Sequence, residues 1–118
     1  MLKVHAKKLN AIEVLCLEGQ IVIDDSEILR SAVELASDIN DLILDLSNVT
    51  TVDAHGLGVL LQLREQTSAK GIHFELMNVR EPLYKIFEIT RLDTVFEINS
   101  GVAIPPKFAR QQRMPVAA

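Results

Sequence analysis

Cysteine is nearly absent. Cys16 is alone among 118 residues, so no internal disulfide can form, and a reducing cytoplasm is the expected setting. Tryptophan is missing and aromatic residues make up 4%, too few to interleave the basic stripe of a nucleic-acid binder. Basic residues are in the minority, 12 against 16 acidic, and the net charge of −4 disfavours a protein that tracks phosphate backbones. No apolar run approaches the roughly 18 residues of a membrane helix, so no membrane insertion is expected. Residues 1–8 alternate in polarity rather than forming an apolar block, which argues against a secretory leader. No repeat or low-complexity tract occurs.

Catalytic machinery is thin as well. No phosphate-binding GxxxxGK[ST] loop is present, and Gly56-Leu57-Gly58 is too short for a dinucleotide fingerprint. His5, His55 and His73 lack metal-ligand spacing, so no metal is expected, and His5 and His73 read as ordinary strand residues. Cys16 falls on an apolar strand face with nothing nearby to stabilise a thiolate. These absences point away from an enzyme and from a cofactor.

What remains is a chain of ordinary globular composition, 48% hydrophobic and 24% charged, sized for one domain. Its charge is uneven. Nine basic and sixteen acidic residues precede position 100, whereas Lys107, Arg110 and Arg113 follow it without an acidic residue. The expectation is a domain over 1–99 and a basic, proline-containing tail over 100–118. That tail is either solvated or an arm for an acidic surface.

Period-two alternation over 2–9, with Lys3, His5 and Lys7 on one face, predicts a half-buried strand and a guarded sheet edge. Asn10-Ala11 turns the chain into a second strand, 12–18, closed by Gly19. Asp24-Asp25-Ser26 offers N-caps, with Glu27 placed to complete a capping box from Asp24. Apolar residues from Ile28 to Ile39, Leu35 among them, recur at helical spacing, predicting a helix over about 26–39. Leu42 to Leu46 reads as a buried central strand, and 47–53 as a polar loop. A helix follows over about 54–69, stopped by Gly71. A strand at 73–77, a helix after Pro82 and a strand at 94–98 complete the order. The fold class is α/β: a mixed sheet opened by an antiparallel hairpin, then βαβαβ crossovers with helices packed on the sheet.

One segment concentrates unusual choices. Between Asp45 and Leu61 a buried strand passes through polar residues, Ser47, Thr50 and Thr51 included, into a helix that Asp53 is placed to cap. Gly56 and Gly58 weaken the first turns of that helix by roughly 1 kcal/mol each relative to alanine. That cost is tolerable where another backbone comes close, either the protein's own sheet or a partner.

This stretch resembles the central motif of STAS domains, the sulphate transporter and anti-sigma factor antagonist family, whose pattern is roughly D-L-S-x-V-x-x-[IV]-D-[ST]-x-G-[LI]-x-x-L. Asp45, Leu46, Ser47, Val49, Val52, Asp53, Gly56, Leu57 and Leu60 match in register. Leu83 to Leu92 resembles the family's late helix and its "LTGL" ending, and Glu18-Gly19 also fits. The resemblance implies a STAS-like fold over 1–99 and a binding function rather than turnover. Antagonists of this type capture an anti-sigma factor, often a kinase-like one, and so free a sigma factor for transcription. The kinase phosphorylates the Ser or Thr that follows the motif's aspartate. Here that phosphoacceptor-equivalent position is Ala54, which has no hydroxyl. Asp53, Ala54, His55, Gly56 and Leu57, with Thr50 and Thr51, are the implied contact surface, on a monomer or weak homodimer. The same resemblance admits a non-catalytic subunit of a lipid-transport ABC complex or a stress-signalling scaffold. A second departure is Arg91, where the family often has glycine after a helix. Arginine there would be strained in a left-handed cap, so a different turn is expected.

Overall fold

The computed structural model describes residues 1–99; the basic tail lies outside the described residues. Strands β1 (Lys3–Leu9) and β2 (Ile12–Ile21) form the opening hairpin, and α1 (Ser26–Leu35) follows. Then come β3 (Asp41–Val52), α2 (Ala54–Ala69), β4 (His73–Met77), α3 (Glu81–Ile89) and β5 (Glu97–Asn99). The sheet order is β1-β2-β3-β4-β5, with β1 antiparallel to β2 and every later pair parallel. A sheet that grows in one direction through right-handed crossovers places its connecting helices on one face. All three helices accordingly share a single core. Leu15, Leu17, Leu42, Leu44, Leu46 and Leu76 supply it from the sheet; Leu29, Leu60, Leu63 and Phe87 supply it from the helices. Phe96 closes one end, edge-to-face with Phe87 at 5.7 Å. By strand alternation the opposite face carries Val14, Cys16, Ile43, Asp45, Glu75 and Met77.

Six local expectations are corrected. The segment 47–52 is not a loop but the outer half of β3, paired with Glu18–Ile21 of β2. The pairing has register shifts between Cys16 and Glu18 and between Gly19 and Gln20. Such bulges disturb the alternation by which a strand is read. Val49 and Val52, three residues apart, are consequently both buried. For the same reason Gly19 does not end β2. It sits within the strand at φ +120°, where a Cβ would lie 2.9 Å from the Met1 carbonyl oxygen. Helix α1 stops at Leu35, which is exposed, and Ile39 is buried from the connection that follows, through a left-handed Asp38. No capping box forms between Asp24 and Glu27. The chain enters α1 through a 3-10 turn, Ile23–Asp25, in which the Ser26 hydroxyl donates back to the Ile23 carbonyl. A second such turn, Leu92–Thr94, delays β5 to Glu97.

Arg91 corrects the remaining expectation, because it keeps the left-handed geometry. Its φ is +63°, and its N–H donates to the Glu88 carbonyl, ending α3 as a glycine would.

Candidate partner-docking site

The parallel strands bring the C-terminal end of β3 beside the end of β2, and α2 starts from there. Asp53 is the hinge of this junction. Its carboxylate accepts from the Gly56 N–H at 2.7 Å, and its carbonyl accepts from Leu57 at 2.9 Å. Its own N–H donates to the Ile21 carbonyl at 3.4 Å. The cap expected from the sequence is therefore formed, satisfying one orphan donor at the helix start. Farther down β3, Asp45 accepts from the Ser47 N–H and from the Asn78 amide, fastening the motif's first residue to the end of β4.

Gly56 and Gly58 have different roles. A Cβ on Gly56 would lie 2.0 Å from the Ile21 carbonyl oxygen, whereas one on Gly58 would meet nothing within 4 Å. Gly56 is buried, so its close neighbour is the protein's own sheet and it lies under the surface. Leu57 is half-buried and packs against the core. Ala54, His55, Thr50 and Thr51 are exposed, and the Thr50 hydroxyl donates to the Gly19 carbonyl. Ala54 and His55 open α2, at the positive end of its dipole. Ile23, two residues beyond Ile21 and 60% exposed, adds an apolar side chain just past the end of β2. Sequence reasoning missed it; the available signal was an isoleucine outside any apolar period, directly before two aspartates.

Cys16 lies in register with Asp45 on the sheet face opposite the helices. Burial, then the Asp45 carboxylate, push its thiol pKa up, and Lys7 opposes them only in part. Such a thiol is a poor nucleophile at neutral pH.

Residues 3–103 match the STAS domain family. The chain belongs to that family. The anti-sigma-B factor antagonist of Bacillus subtilis is 31% identical over 85 residues, spanning 71% of this chain and 78% of that protein. A crystal structure of an anti-sigma factor antagonist from Mycobacterium paratuberculosis superposes with a TM-score of 0.75. It is 22% identical and covers 86% of this chain and 88% of its own. A sulfate transporter family protein from Wolinella succinogenes superposes at 0.70, with 17% identity and coverage of 78% and 79%. The STAS fold is thus common to proteins named for signalling and for transport, and the fold alone does not choose between them. In this STAS chain, among the described residues, no helix is long and apolar enough to cross a membrane.

Proposed function

We propose that this STAS protein is an anti-sigma factor antagonist that works by binding, not turnover. It captures an anti-sigma factor of the kinase-like type through the outer end of β3 and the start of α2, releasing a sigma factor for transcription. The docking surface is Thr50, Thr51, Ala54 and His55, with Leu57 at its base and Ile23 at its edge. One observation carries the reading: Ala54 is exposed at a helix start that Asp53 caps. A partner fitted to this surface meets a methyl group where the family's switch has a hydroxyl. Phosphate, with roughly −1.5 to −2 charges and three bulky oxygens, cannot be added there. The complex therefore lacks the usual covalent release. The similarity to the B. subtilis antagonist supports this choice of partner.

The test begins with gentle purification of the native protein and identification of what accompanies it. Ala54→Asp then places a fixed negative charge on the surface. Carboxylates are favourable near a helix N-terminus, so folding is retained while partner affinity falls at least tenfold. Unchanged affinity would place the interface elsewhere. Co-purification with membrane transport subunits, and no anti-sigma factor, would replace this reading with that of a transporter subunit.

A further inference from the structure

The end of the sheet away from Asp53 carries a second cluster, unconnected with docking. His73 and Glu75 alternate onto one face of β4, and Glu97 of β5 lies in register with Glu75. One ligand atom from each comes within 4.8 Å of the others. His73 Nε2 lies 2.9 Å from a Glu97 carboxylate oxygen and 3.6 Å from one of Glu75. We propose that these three side chains form a binding site for a divalent transition-metal ion of the zinc type.

Three observations converge. The Glu75 side chain is 3% exposed, yet it stands opposite another carboxylate on the neighbouring strand, an arrangement that is unfavourable between like charges. Negative charge concentrated in this way draws a cation. His73 Nε2 is buried and makes no hydrogen bond, although it approaches both carboxylates closely. Finally, the spacing suits a metal. Zinc bonds of about 2.0–2.2 Å to nitrogen and oxygen place tetrahedral ligand atoms roughly 3.3 Å apart, between the two distances observed. Imidazole with carboxylates is a donor set for zinc rather than magnesium or calcium. Three protein ligands leave the fourth position to water. His73 and Glu97 also border a surface cleft with Arg64, Ser68, Ile72 and Val95, a path for a hydrated ion.

An ion here would tie the three-residue β5 to β4. No sequence spacing announces the site, because Glu97 reaches it only through strand register. The experiment uses the full chain, stripped with chelator and titrated with zinc chloride by calorimetry, with metal content checked by mass spectrometry. One zinc per chain is expected, with a raised melting temperature. His73→Gln and Glu97→Gln, each confirmed folded by circular dichroism, are expected to weaken binding at least tenfold. Cys16→Ser, His5→Gln and His55→Gln retain it. Absence of stoichiometric binding would overturn the proposal. Zinc uptake that survives both His73→Gln and Glu97→Gln would overturn it too. Neither result bears on Ala54, which lies at the opposite end of the sheet.

Discussion

The pair Gly56→Ala and Gly58→Ala separates packing from propensity within one helix. Both substitutions replace glycine by the best helix former, a gain of about 1 kcal/mol at an unobstructed position. At Gly58 nothing stands within 4 Å of the new methyl, so that gain is realised. At Gly56 the methyl would sit 2.0 Å from the Ile21 oxygen, 3.0 Å from its carbonyl carbon and 3.1 Å from its Cγ2. Ile21 cannot yield easily, since it is fully buried and paired with Val52. The start of α2 must instead move outward, lengthening the already long Asp53 to Ile21 hydrogen bond. Overpacking of a well-filled site costs about 1–3 kcal/mol, and a clash with backbone belongs at the upper end. Subtracting the propensity gain leaves Gly56→Ala about 2 kcal/mol less stable than the parent. In a domain of this size that lowers the melting temperature by roughly 8–16 °C. Gly58→Ala is expected to raise it by a few degrees. Thermal and urea unfolding followed by circular dichroism measure both. Equal stability of the two variants would refute the claim that Gly56 is fixed by its own sheet.

Two further outcomes follow from the geometry. Arg91 holds a left-handed conformation at the end of α3 that costs a non-glycine residue about 1–2 kcal/mol, so Arg91→Gly is expected to raise the urea midpoint without changing the slope; an unchanged midpoint would show that the cap is unstrained. The Cys16 thiol has its pKa raised by burial and by Asp45, so its alkylation rate is expected to inflect above pH 9. The unfolded chain loses this proton first, so the thiol's contribution favours the fold at neutral pH and declines as pH rises past the unfolded value; an inflection at or below pH 8 would contradict the placement of Cys16.

The hairpin, the central strand, α2 and its Asp53 cap were legible because each rests on local rules, namely alternation, a continuous apolar run and an N-cap before a helical period. The outer half of β3 was not. Ser47, Asn48, Thr50 and Thr51 look like loop residues, and the bulges opposite them move the buried valines from a spacing of two to three. The β-branched content of Val49-Thr50-Thr51-Val52 was the remaining signal, since such residues favour strands. Gly19 misled for a related reason: a glycine required by the approach of Met1 resembles one that ends a strand. At the candidate docking site, Asp53 was visible as part of a motif and Ala54 as a departure from it, but the role of Gly56 depends on its close approach to the Ile21 carbonyl. Ile23 and the His73–Glu75–Glu97 cluster depend on contacts between distant segments, and periodicity along one segment carries no information about those.

The central claim is that the α2 start is a binding surface whose methyl group removes the covalent off-signal. It is tested most directly by measuring the affinity of the wild-type protein and of Ala54→Ser for the co-purified anti-sigma factor, before and after addition of ATP. The account predicts that wild-type affinity is unchanged by ATP, whereas Ala54→Ser becomes phosphorylated at residue 54 and dissociates. Release of the wild-type protein in a phosphorylated form would contradict it.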